Sequence, residues 1–301
     1  MKHTILYGAL LACAALPLCS QPQILGVVNS ASFEPGLPSG GGLATVFCSF
    51  PGAVGGSGTY LPSSSSPLPY TLAANEVSIN GVDAPILAVV ETESNGTLYT
   101  QVNFQVPMER NVSLPNTGAY AGSLTACGAT IQPLPARQMG GFFSDAKGYA
   151  IAQHASDYSL VTPQNPAHPG ESIIAYGDDI FPVWPPPTIA FPTPALPLFQ
   201  AAATGLFFPG YLYLQSSIPP STTPPPFGTP QQPSTLALVT TFMGMAPGIV
   251  GVQQVNFVVP ANQQAGTFSL FFDTGCGLGV VGAQGCATYP AAGPLVLFPV
   301  K

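Results

Sequence analysis

Two stretches of the chain alternate apolar and polar residues in nearly the same letters. Gln101-Val102-Asn103-Phe104-Gln105-Val106-Pro107 returns 153 residues later as Gln254-Val255-Asn256-Phe257-Val258-Val259-Pro260, with six of seven positions identical. Val102, Phe104 and Val106 fall on one face and Gln101, Asn103 and Gln105 on the other, and a period of two marks a strand with one side buried and one side wet. The closing proline has no N–H for a ladder, so it ends the strand. A chain that repeats such a strand at this distance has built one β-rich unit twice.

The same patterning predicts further strands around each copy. Leu43 to Cys48 is a candidate core strand, and Pro169 to Gly177 occupies the corresponding place in the second unit. Gly40 to Gly170 is an offset of 130 against 153 for the heptapeptide, so the second copy carries an insertion of 23 residues. Glu76 to Val82 reads as a hairpin, because Asn80-Gly81 supplies the two positive-φ positions of a type I′ turn. Gly122–Cys127, Leu206–Leu214, Thr267–Asp273 and Leu295–Val300 complete the expected strands. Val258 stands where Gln105 does, and one apolar residue on the polar face suggests that this face of the second unit is packed against something.

Composition agrees with an all-β chain. Its 33 glycines and 36 prolines oppose long helices, while charged residues, which clothe exposed helix faces, make up only 6%. A hydrophobic fraction of 46% gives ample surface to bury and argues against disorder. The proline-rich tract at 182–233 is the expected site of the insertion, with polyproline-like or loop backbone in parts. The organisation expected is a signal peptide at 1–20, a first β-sandwich at 21–140, and a second at 141–301 that carries the tract.

Charge removes several functions. Five Lys and Arg against twelve Asp and Glu leave a formal −7, with no basic cluster to displace counterions from nucleic acid or to seek an anionic membrane. Residues 1–20 combine Lys2 and His3 with an apolar run from Ile5 to Leu18, which is the pattern of a secretory signal cleaved near Ser20. Lipoprotein processing at Cys13 is the rival, opposed by the apolar stretch that continues beyond it. No later segment is long and apolar enough to span a bilayer. Export leaves four cysteines, Cys48, Cys127, Cys276 and Cys286, and an even count in an oxidising compartment suggests two disulfides. Three pairings are open; the favoured one closes Cys276 with Cys286 across a glycine-rich loop and leaves Cys48 with Cys127.

Several segments, taken in order, resemble an uncharacterised secreted domain that recurs across acidobacterial proteins, often at the C-terminus. They are Val27–Phe33, Val77–Pro85, Gln101–Pro107, Asn165–Gly170, Ala246-Pro247-Gly248 and Gln253–Pro260. The resemblance runs from about residue 26 to the C-terminus. It implies a tandem pair of immunoglobulin-like β-sandwiches and brings no established catalytic residues. The proline-rich insertion and the Cys276–Cys286 loop look like departures from that pattern.

Candidate chemistry is thin. His154 and His168 are 14 residues apart with no metal-ligand spacing, and Asp178-Asp179 lacks the alternating oxygens of a calcium loop. The four cysteines lack paired C-x-x-C spacing, so neither a metal nor a cofactor is expected. No Gly-x-Ser-x-Gly elbow frames a serine. A hydrolase using Asp178 and His154 is therefore the weakest alternative. Trp184, with Tyr211 and Tyr213, is the better lead, because aromatic faces stack on sugar rings and anchor interfaces. The competing reading makes these rings a lid over the second sandwich. Asn95-Gly96-Thr97 and Asn111-Val112-Ser113 match glycosylation sequons and are read as incidental. The expectation is a non-catalytic protein of the cell surface or extracellular space that works by binding, adhesion or display, its partner a protein or a glycan. A carbohydrate-binding module and a self-assembling fibre or layer subunit are the alternatives.

Overall fold

The computed structural model describes residues 21–53, 55–63, 66–108, 122–133, 140–181, 183–184, 186–194, 200–201, 211–216, 235–273 and 295–301. Among them the chain forms strands and turns and no helix, so none is long and apolar enough to cross a membrane. The first unit holds β1 (Gln23–Asn29), β2 (Leu43–Pro51), β3 (Gly58–Tyr60), β4 (Thr71–Leu72) and β5 (Asn75–Ile79). It continues with β6 (Val82–Asp83), β7 (Ile86–Ser94), β8 (Thr97–Gln105), β9 (Leu124–Ala126) and β10 (Ala129–Ile131). The second unit holds β11 (Gly141–Phe142), β12 (Ala152–His154), β13 (Ser172–Asp178), β14 (Val183–Trp184), β15 (Gln200–Ala201) and β16 (Tyr211–Ser216). It ends with β17 (Thr235–Ala237), β18 (Val239–Met245), β19 (Gln253–Val258), β20 (Gly266–Asp273) and β21 (Val296–Val300).

All named strand pairs are antiparallel. The larger sheet of the first unit runs β1-β2-β8-β7-β3, and the facing sheet runs β10-β9-β5-β4 with β6 also on β5. The second unit repeats this order: β12-β13-β19-β18-β15 forms the larger sheet, β11 also pairs with β13, and β17-β16-β20-β21 forms the facing one. Each pair of sheets encloses its own core. Val46, Val102, Phe104, Ile86 and Val89 meet Val77, Ile79 and Leu124 in the first. Ile173, Ala175, Val255 and Phe257 meet Leu212, Leu214, Leu270 and Phe298 in the second. The repeated phenylalanines, Phe104 and Phe257, are both 0% exposed, and Phe257 meets Phe298 edge-on at 5.6 Å between ring centres.

The duplication extends to irregularities. Each heptapeptide strand faces a bulge at the same point, between Ile86 and Ala88 opposite Phe104-Asn103, and between Thr240 and Phe242 opposite Phe257-Asn256. Gly41 donates its N–H to Val106 O at 2.8 Å, and Gly170 does the same to Val259 at 2.8 Å. The structural partner of Gly170 is therefore Gly41, one residue beyond the Gly40 suggested by the letters, and the strand register agrees: Val46 faces Val102 as Ala175 faces Val255. Both glycines take positive φ, +88° and +81°, where a Cβ would be strained.

Turn chemistry fixes the hairpins. Asn80 and Gly81 have φ of 52° and 79°, as the type I′ reading requires, and Asn95-Gly96 repeats this at 52° and 70° between β7 and β8. The Asn95 sequon is thus also a hairpin turn. Cys127-Gly128 turns β9 into β10 in the same way, with φ of 55° and 74°, and places Cys127 against Cys48 of β2. The Cys48–Cys127 disulfide ties the two sheets of the first unit together. Cys276 and Cys286, Cys13 and the rest of the signal segment, Asn111, and most of 195–234 lie outside the described residues.

Candidate functional site at the sheet faces and their junction

The outward face of each larger sheet is built from the polar half of the repeat. On the first, Gln101 and Asn103 of β8 lie two residues apart, and Gln101 Nε2 donates to Asn103 Oδ1 at 2.9 Å. Thr45 Oγ1 of β2 donates to the same oxygen at 3.0 Å and meets Ser30 Oγ at 2.9 Å. On the second, Gln254 Nε2 donates to Asn256 Oδ1 at 2.8 Å, so the amide rung is reproduced. Aromatic rings border both rungs. Tyr99, on the face of Gln101, is 43% exposed, and Phe47 is the cross-strand partner of Gln101. In the second unit Tyr176 is the partner of Gln254 and Phe242 of Asn256, and Tyr176 Oη donates to Gln153 Oε1 at 2.8 Å. Partial burial, and then the nearby Tyr158, raise the Tyr176 phenol above its ordinary value, so it stays a donor at neutral pH.

The near end of the first face is covered. Gln105, expected on the wet side with Gln101 and Asn103, is 0% exposed. Its Nε2 donates to Gly41 O at 2.9 Å and its Oε1 accepts from Ala190 N at 2.8 Å, so the side chain joins the first unit to the segment 186–194 of the second. Leu68 N donates to Ala190 O at 2.8 Å, and Leu68, Ala190 and Val250 form a small apolar cluster with Leu87 and Ile189 packed on it. Part of the proline-rich tract therefore lies on the first unit, where a lid over the second was expected. Phe181 does follow the lid reading: it is 7% exposed and packs 6.0 Å from Phe272. Val258 is half-buried, so the packed position of the pair is Gln105.

Beside this contact lies Asp178, at the end of β13 and 0% exposed. Its Oδ2 accepts from Asn29 Nδ2 at 3.1 Å and from Leu43 N at 2.9 Å, both in the first unit. Oδ1 has no hydrogen-bond partner among the described residues. Burial pushes this carboxyl well above the ordinary carboxylate range, and the charge of Asp179 adds to it; the two donors do not offset them. Asp179 carries a second link, accepting from Ser39 N at 2.9 Å and from Ser39 Oγ. Asp178-Asp179 is thus a strut between the units. A carboxyl with no exposed surface does not meet a substrate in this arrangement.

His154 is equally committed. It is 5% exposed, with Nδ1 at 2.6 Å from Glu171 Oε1 and Nε2 at 3.2 Å from Asn165 O. Glu171 Oε2 accepts from His168 N at 2.9 Å, so one carboxylate ties the β12 end to the turn before β13. Burial works to raise this carboxyl, but the His168 N–H and the His154 ring together hold it below its usual range. His168 itself is exposed at 60%. Among the described residues no group of three His, Cys, Asp or Glu side chains is placed to hold a metal ion.

Trp184 lies in β14, paired with Gln200, and Tyr211 and Tyr213 lie in β16, paired with Asp273 and Phe271. Their side chains lie outside the described residues. Tyr99, Phe47 and Tyr176 were passed over, although continuing the period of two back from Gln101 places Tyr99 on the rung's own face. No family model, no curated protein and no solved structure matches the chain.

Proposed function

We propose that the chain is a secreted or cell-surface, non-catalytic protein of two immunoglobulin-like sandwiches that binds through the outward faces of its larger sheets. One observation carries the reading: the Gln–Asn rung with an adjoining aromatic is built twice, on matching faces of two units with separate cores. A fold needs the inward half of each repeat for stability. The outward half is unconstrained by packing away from the junction, yet it recurs with the same internal hydrogen bond.

The chemistry of these faces favours a neutral glycan. Amides and hydroxyls exchange hydrogen bonds with sugar hydroxyls, and a tyrosine face stacks on the apolar face of a pyranose. The residues concerned are Phe47, Tyr99, Gln101 and Asn103 in the first unit and Tyr176, Gln254 and Asn256 in the second. The extracellular address rests on the signal-like segment 1–20 and is supported by the Cys48–Cys127 bridge. The test is co-sedimentation of the mature protein with a panel of insoluble neutral polysaccharides. Tyr99→Ala and Tyr176→Ala are each expected to weaken retention about tenfold, a loss of one stacking contact of about 1–1.5 kcal/mol. Retention by no polysaccharide, or retention unchanged in the double variant, would sink the glycan reading.

A further inference from the structure

We propose that Asp178 is a proton-operated latch between the two units, closed while its carboxyl is neutral and released when it ionises. The geometry is asymmetric in the way a neutral acid requires. One oxygen, Oδ2, accepts both bonds from the first unit, from Asn29 Nδ2 and Leu43 N, as a carbonyl oxygen does. The other, Oδ1, has no partner among the described residues, and a Cβ on Gly42 would come within 2.9 Å of it. A hydroxyl tolerates such a position far better than a half-share of negative charge, because desolvating an ion costs more than desolvating a neutral group.

Among the described residues no cation stands beside this carboxyl. The groups packed on Asp178 are Asn29, Leu43 and Gly42 of the first unit and Gly140 and Gly141 of the second, none of them titratable. Asp179 is the titratable neighbour, and its charge is of the same sign. The ionised form is therefore relieved by admitting water, and water enters only if the contact between the units loosens.

The sign follows from linkage. A carboxyl that holds its proton more tightly in the closed form favours that form fully below the ordinary aspartate value of 3.8, and the preference is lost as pH rises through the closed-form value. Opening uncovers the end of the first sheet's outward face at Leu43, which now lies against Gly251, and at Leu87 and Gln105, which now meet the cluster of Ala190 and its neighbours. The latch would thus control access to part of a surface, whether or not that surface binds sugar.

Amide hydrogen exchange of the mature full chain tests this, with the Leu43 N–H as reporter. After correction for intrinsic exchange, its protection is expected to fall about tenfold per pH unit above the onset, the slope of one linked proton. Asp178→Asn keeps the shape and the acceptor oxygen and is expected to show no slope. Asp179→Asn removes the like charge that raises the closed-form carboxyl, so its protection is expected to stop falling at a lower pH than in the parent, which keeps the test open should the first variant not fold. Leu43 protection that is constant from pH 4 to 8, or a slope retained in Asp178→Asn, or a fall that ends at the same or a higher pH in Asp179→Asn, would each overturn the latch.

Discussion

The two copies of the heptapeptide differ at one position, and the structure assigns opposite consequences to exchanging it. Gln105 has both ends of its amide engaged at 0% exposure, with Gly41 O at 2.9 Å and Ala190 N at 2.8 Å. Gln105→Val removes both bonds and leaves a carbonyl and an N–H buried without them. Each orphaned group costs about 1–3 kcal/mol. Against this, valine releases most of the rotamer entropy that a buried glutamine loses, about 1 kcal/mol. The net expectation is a loss of about 1–5 kcal/mol. Val258→Gln is the control: its neighbours across the sheet are Ser172 and Val239, the latter 70% exposed, so an amide placed there reaches water. Its effect should stay within about 0.5 kcal/mol.

Urea unfolding of the mature chain measures both, read together with exchange protection of the Ala190 amide, which only the Gln105 variant should lower. Two variants of equal stability would refute the reasoning. So would a large loss in Gln105→Val that leaves Ala190 protected, since the cost would then arise inside the first unit and not at the contact.

Other outcomes follow from the same coordinates. Replacing Cys48 and Cys127 together by alanine opens a cross-link spanning 79 residues, worth about 4.5 kcal/mol at most in the chain-entropy model; a urea midpoint that barely moves would contradict it. Gly140→Ala would drive a Cβ into the Asp178 carbonyl oxygen and should cost about 3 kcal/mol in melting experiments, whereas Gly26→Ala, with nothing within 4 Å of its Cβ, should be close to neutral. Glu171 contributes stability that is present above the ordinary glutamate value of 4.5 and is lost as pH falls through its lower folded value. Glu171→Gln should therefore flatten the acid limb of stability against pH, and a limb unchanged from the parent would show that other carboxylates set it.

Much of the fold was legible because β-structure writes itself in local chemistry. Alternation located β8 and β19, and Asn80-Gly81 announced its turn, since few residues take positive φ twice in succession. Asn95-Gly96 carries the same turn signature at the β7–β8 hairpin. Gly40, Gly41 and Gly42 are identical letters, and the bond from Gly41 to Val106 together with the strand register singles out Gly41. Asp178, His154 and Gln105 were not legible. Each looks polar and exposed in sequence, yet His154 is held by Glu171 and Asn165, 17 and 11 residues on, and the other two are buried by partners far away along the chain, Gln105 by Ala190 and Asp178 by Asn29 and Leu43. No local pattern records a contact of that range.

Position 105 also shows how a duplicated unit acquires a relationship with its copy. Both heptapeptide strands keep the core phenylalanine, the facing bulge and the Gln–Asn rung, which serve each unit alone. Divergence falls where one unit meets the other. Where the first strand ends under segment 186–194, a long amide satisfies a loop backbone that a valine would leave unpaired. Where the second strand ends, half-buried Val258 lies between Ser172 and Val239; no such demand exists and valine suffices. Asp178 fits the same logic, for in register its counterpart in the first unit is Ser49, on the strand that the Leu43 end of β2 begins, away from the contact. An aspartate buried against another unit is costly wherever it sits, so its presence at the contact and not at the equivalent free end argues that the contact, and not the sandwich, is what required it.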